Sequence, residues 1–135
     1  MKRNIIKAGI LENYQIDTYY GKKLHMEPTS GSLTNLVISS GSRSLDEMLK
    51  SLESGILVTD FNGGNSNSAT GDFSYGIEGF LIEKGVPVQA ISEMNITGNL
   101  KNLWMNFLAA GNDVYENSSW RIPSLMFDNV DFSGT

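Results

Sequence analysis

The chain has no cysteine and a single histidine, His25. The first absence excludes a disulfide framework and any thiolate metal site. The second leaves no pair of imidazoles to share a metal. Prolines number three and no low-complexity tract occurs, so disorder is not indicated. No apolar run approaches the roughly 20 residues of a membrane span. The opening MKRNIIKAGILENY is basic but lacks a continuous apolar stretch, which speaks against a secretory signal. Cations are also scarce. Fifteen acids against ten bases give a net charge of −5. The bases are scattered, whereas a nucleic-acid binder needs a basic face to displace phosphate counterions. We therefore expect no nucleic-acid partner, no membrane and a cytoplasmic location. The sequons at Asn95 and Asn117 then carry no meaning.

What is present suits one α+β domain over residues 1–135, with a mostly antiparallel or mixed sheet and two main packed helices. Asn4–Ile6 and Ile10–Asp17 read as short strands around a Lys7-Ala8-Gly9 turn. Tyr19–Leu24 suits a short helix and Leu33–Ile38 a strand. Ser44 and Glu47 form a capping box that starts a helix over Ser44–Glu53, with Leu45, Met48, Leu49 and Leu52 on one face. Gly55 is expected to cap its end in a left-handed conformation.

Ile56–Asp60 reads as a strand and Phe61–Thr70 as a polar loop. Asp72–Glu83 alternates in the period of a strand. Lys84-Gly85 turns the chain into Val86–Ala90, where Pro87 favours a sheet edge. Met94–Thr97 suits another short strand. A second helix is expected over Asn99–Ala110, ended by Gly111, with Trp104 and Phe107 in its apolar face. A last strand is expected over Ser124–Phe132. Phe80, Ile82 and Trp120 fall outside the clean one-sided patterns and are candidates for an exposed apolar surface.

Chemistry is thin. His25 lies before a loop with no partner ligand and reads as an ordinary loop residue. Asp60 and Asp72 flank the glycine-rich segment. Were their strands to pair suitably, the two carboxylates would meet, as acid–base or glycosidic chemistry requires. The simpler reading makes them acceptors for turn N–H groups. Asn62-Gly63-Gly64-Asn65 offers successive backbone N–H groups but lacks the endings of a nucleotide loop. No serine-hydrolase elbow occurs.

Ordered blocks add a resemblance. They are Gly9-Ile10-Leu11 through Tyr14, Gly55-Ile56-Leu57-Val58-Thr59, Thr70-Gly71-Asp72-Phe73-Ser74 and Gly79-Phe80. Glu83-Lys84-Gly85, Ile96-Thr97-Gly98-Asn99-Leu100, Gly111-Asn112-Asp113 and Pro123-Ser124-Leu125 follow. Together they resemble the C-terminal domain of the TldD/PmbA family, once called modulators of DNA gyrase. The blocks look closer to the PmbA (TldE) side. The resemblance implies a subunit without a metal site that pairs with a zinc-bearing TldD-like subunit in a peptidase for unfolded chains. The active subunit's zinc is held by a His-Glu-x-x-x-His helix and a C-terminal cysteine. This chain has neither; Tyr115–Pro123, where that cysteine would fall, is short and contains none. The resemblance thus implies a C-terminal domain alone, with no catalytic residue, no metal ligand and no cofactor. Its expected partners are a TldD-like subunit or another copy of itself, and extended peptide. The expected peptide- or partner-facing loop comprises Asn62, Gly63, Gly64, Asn65, Gly71 and Asp72. The rival readings are a small hydrolase using Asp60 and Asp72, or a free-standing interaction module.

Overall fold

The longest apolar alternation in the sequence becomes the centre of the fold. In a computed structural model, which describes residues 2–134, Asp72–Glu83 forms a strand paired on both sides. In chain order the strands are β1 (Ile6–Lys7), β2 (Ile10–Leu11), β3 (Leu36–Val37), β4 (Ser54–Ser66), β5 (Asp72–Glu83), β6 (Val86–Asn99), β7 (Phe107–Ala110), β8 (Trp120–Arg121), β9 (Leu125–Phe127) and β10 (Asp131–Gly134). The helices are α1 (Thr18–Leu24), α2 (Leu45–Lys50) and α3 (Leu100–Met105). The main sheet runs β10-β6-β5-β4, antiparallel throughout. Three two-stranded pairings, β1-β2, β3-β8 and β7-β9, accompany it, and β3-β8 is parallel. The α+β reading therefore holds, with strand dominating; the short helix expected over Tyr19–Leu24 is α1, and the two main helices, α2 and α3, are shorter than expected.

Several expectations are corrected. The loop expected over Phe61–Thr70 is mostly strand, because β4 continues to Ser66 through bulges between Val58 and Asp60 and between Phe61 and Gly64. A bulge admits polar and glycine residues without ending the ladder, which hides the strand from periodicity. Gly55 lies inside β4, and α2 ends instead at Ser51 in a right-handed conformation. The capping box itself is present: Ser44 Oγ accepts from the Glu47 N–H, and Glu47 Oε2 accepts from the Ser44 N–H at 2.8 Å. The second helix stops at Met105. Asn106 accommodates the break, and Phe107–Ala110 forms β7 against β9. Ring contacts of Trp104 with Phe127 and of Phe107 with Phe127, at 5.4 and 5.7 Å between centroids, offset the lost helical turns. The last strand is split by a turn in which Asn129 has φ 56°. Met94–Thr97 is no separate strand but the part of β6 that pairs with β10. Pro87 occupies a stretch of β6 that lacks a second neighbour, as its missing donor requires.

The core is thin. Ile16, Met48, Ile77, Ile82 and Ile91 are its buried apolar residues, and Met48, Ile77 and Ile82 are the fully enclosed ones. Ile82, expected at the surface, is thus central, whereas Phe80 and Trp120 are 39% and 62% exposed. A compact monomer of this length exposes about 7,000 Å². This chain exposes 9929 Å².

The second bulge depends on glycine. Gly63 and Gly64 have φ of 123° and 151°. A Cβ on Gly63 would meet nothing, whereas one on Gly64 would collide with the Ser74 carbonyl and Tyr75. Gly63→Ala is therefore expected to cost about 1–3 kcal/mol from backbone strain alone. Gly64→Ala is expected to cost roughly 1–3 kcal/mol more from the clash. Paired urea melts check the order; equal losses would contradict it.

Candidate functional site

The turn that joins β4 to β5 is only Asn67–Gly71, and side-chain acceptors build it. Asn67 Oδ1 accepts from the N–H groups of Ala69 at 2.9 Å and Thr70 at 3.3 Å. The Gly71 N–H donates to the Asn67 carbonyl, with Gly71 at φ 83°. Asp72 then ties the turn to the next crossing of the chain. Its Oδ1 accepts from Asn99 Nδ2 at 2.8 Å, and its Oδ2 from Thr70 Oγ1 at 2.7 Å. Asn99 Nδ2 also donates to the Thr70 carbonyl, and Asn99 Oδ1 caps α3 by accepting from the Lys101 N–H. The Leu100 N–H donates to the Gly71 carbonyl. One asparagine thus latches the hairpin end and starts a helix.

Beside this latch lies an open cleft of about 400 Å³. Phe73, Asn99, Asn102, Leu103, Asn129 and Asp131 are among the residues lining it. Of the expected loop residues, Gly71 and Asp72 adjoin this cleft through Asn99. Asn62, Gly63, Gly64 and Asn65 do not join them. They lie back along β4, where Asn65 faces Ser74 and Asn62 Nδ2 donates to the Ser92 carbonyl at 3.4 Å. The six residues therefore belong to two places on one hairpin.

Asp60 and Asp72 do not meet. Asp60 stands opposite Glu78, six residues along β5 from Asp72, or about 20 Å at strand rise. Asp60 Oδ1 accepts from the Phe61 N–H, and Asp72 is taken up by the latch. The paired-carboxylate hydrolase loses its geometric basis. Hydrogen bonds from Asn99, then Thr70, hold the Asp72 carboxyl below its ordinary pKa. His25 sits at the end of α1 in a left-handed conformation, beside a shallow depression with Thr18 and Pro28. No three His, Asp or Glu side chains converge among the described residues. The zinc of a metallopeptidase does not fit this donor set.

A second clamp escaped the sequence reading. Asp113 Oδ1 accepts from the Ser124 N–H at 2.9 Å and its Oδ2 from Ser124 Oγ at 2.6 Å. The Ser124 hydroxyl in particular lowers the Asp113 pKa. This clamp closes residues 114–123 into a loop that carries Trp120. The adjacent blocks Gly111-Asn112-Asp113 and Pro123-Ser124-Leu125 were its only signal.

The latch has a defined pH dependence. A carboxyl whose folded pKa is depressed contributes stability above its unfolded pKa, and loses it as pH falls through the folded value. Asn99→Ala is expected to return the Asp72 pKa toward its ordinary value and to remove a helix cap worth about 1 kcal/mol. Carboxyl-carbon NMR titration of Asp72 measures the first effect. An unmoved pKa would show that Asn99 is not the main cause.

The PmbA/TldA metallopeptidase C-terminal domain model matches residues 1–134. The metalloprotease PmbA of Escherichia coli O157:H7 is 34% identical over 135 residues, which cover 98% of this chain and 30% of that protein. A PmbA homologue from Buchnera aphidicola is 35% identical, covering 96% of this chain and 30% of the relative. Among solved structures, a Bacteroides thetaiotaomicron protein named as a candidate modulator of DNA gyrase superposes with a TM-score of 0.94 and 57% identity. The match covers 98% of this chain and 30% of that one. TldE from Thermococcus kodakarensis shares the fold, with a TM-score of 0.83 and 24% identity, over 96% of this chain and 33% of that one. The chain thus spans about a third of the length of these relatives, and it belongs to the PmbA/TldA metallopeptidase C-terminal domain family.

Proposed function

We propose that this chain serves as the non-catalytic C-terminal domain of a PmbA/TldE-type subunit. In this reading it works within a TldD/TldE-like zinc peptidase, as part of the wall of the peptide chamber and of the subunit contact. The metal and the catalytic groups come from a TldD-like partner. One histidine and no cysteine support the division of labour, because a catalytic zinc site takes three protein ligands.

The observation that carries the role is the open edge of β4. β4 pairs with β5 and with no other strand among the described residues. The Lys84 N–H donates to the Glu53 carbonyl at 2.8 Å, which sets the alternation of the ladder. Gly55 and Leu57 then bond to β5, and Ser54, Ile56 and Val58 turn their N–H and C=O groups outward. An extended peptide adds to such an edge through main-chain bonds that ignore side-chain identity. That suits a peptidase for unfolded chains. The bulge after Val58 limits the regular edge to these residues.

The chain alone is expected to bind no stoichiometric zinc by elemental analysis and to cleave no peptide. In a full-length subunit reconstituted with a TldD-type partner, Ile56→Pro removes one outward donor. Turnover of an extended peptide is expected to fall about tenfold, the equivalent of one lost hydrogen bond of about 1.4 kcal/mol. Assembly of the pair should persist. Full turnover with the variant folded and assembled would remove β4 from the peptide path.

A further inference from the structure

We infer that residues 2–31 form a docking arm whose basic, apolar surface seats on the exposed acidic patch at Asp60 and Glu78 of the main sheet of a second copy of this chain. The inference concerns contact between like chains and stands independently of the contact with a TldD-like partner.

The arm stands apart from its own body. Every hydrogen bond of residues 2–31, among the described residues, stays inside that segment. Its helix α1 has seven residues, too few to persist in water without packing. Yet its large side chains point outward: Tyr19, Tyr20 and Leu24 are all more than half exposed. Eight of the 21 exposed large apolar residues lie in this arm, beyond what scattered surface apolarity explains.

Charge identifies the acceptor. The arm holds five bases and three acids, a net +2, so the rest of the chain stands at −7. Lys22 and Lys23 project from α1, with the Lys23 ammonium 6.0 Å from the centre of the Tyr19 ring. On the sheet, Asp60 stands opposite Glu78, both exposed, near the half-exposed Phe80. Like charges directly opposite on a sheet repel. Neither carboxylate has an ion-pair partner among the described residues, where Lys50–Asp46 is the one salt bridge. An apolar side chain flanked by unpaired carboxylates complements aromatic side chains flanked by lysines. Two copies exchanging arms satisfy both contacts about one twofold axis. The area suffices: the chain exposes roughly 2,900 Å² beyond a compact monomer of its length, and a stable interface takes about 800 Å² from each partner.

The test is charge-swap complementation read by sedimentation velocity on the whole chain, with circular dichroism confirming folding. The unaltered chain is expected to dimerise at low ionic strength and to weaken about tenfold near 0.5 M salt. Lys22→Glu/Lys23→Glu and Asp60→Lys/Glu78→Lys should each self-associate at least about tenfold more weakly. Mixed in equal amounts, they should recover a dimer of one copy each, because both contacts are then again opposite in sign. A monomer at every concentration, a dimer indifferent to either variant, or no recovery on mixing would overturn the arm. Should the sheet variant not fold, the arm variant and the salt series decide alone, and unchanged association overturns the proposal. A dimer indifferent to the arm variant leaves the subunit-contact reading standing. Failure to complement a TldD-type subunit removes that reading without touching the arm.

Discussion

Twelve residues of β5, hydrogen-bonded on both sides, set the rest of this molecule. Ile77 and Ile82 are fully enclosed on this strand, and Ile91 of β6 is nearly so. Because β5 is central, its register places the turn at Asn67–Gly71, the bulges of β4 and the Lys84-Gly85 turn. It also decides which carboxylates meet. Asp60 faces Glu78 because β5 puts it there, and that pairing denies Asp60 the company of Asp72. A slip of one residue would turn Ile77 out of its buried face and bring the neighbouring Glu78 into it.

Two carboxylates close loops at the margins of this sheet. Asp72 binds Asn99 and Thr70, and Asp113 binds Ser124. In each case a short polar residue accepts bonds from a segment distant in sequence, and each carboxyl pKa is lowered as a result. Both acids serve here to tie chain segments together.

The thin core and large surface have one physical meaning. Apolar side chains such as Tyr19, Tyr20, Trp104 and Trp120 lie exposed on short elements that cannot cover them. Both edges of the main sheet, β4 and β10, are also free among the described residues. A domain with this balance gains stability when its faces are covered, which couples assembly to order.

Family, α+β class, β5 with its Lys84-Gly85 turn and the capping box of α2 were legible in sequence, because each depends on local period or on residues within a few positions. The long-range decisions were not. β4 runs through Asn62-Gly63-Gly64 because β5 supplies partners across two bulges, so glycine and asparagine that locally signal a loop lie within a strand. Residues 107–110 leave a helical pattern because β9 and Phe127 compete for them. The six expected loop residues separate: Gly71 and Asp72 meet Asn99, while Asn62 to Asn65 lie on the strand. Short-range propensity and motif identity thus came from the sequence alone. Which carboxylates met, which edge stayed open and which aromatics stayed outside were decided by the tertiary structure, since each depends on strand register between residues far apart in the chain.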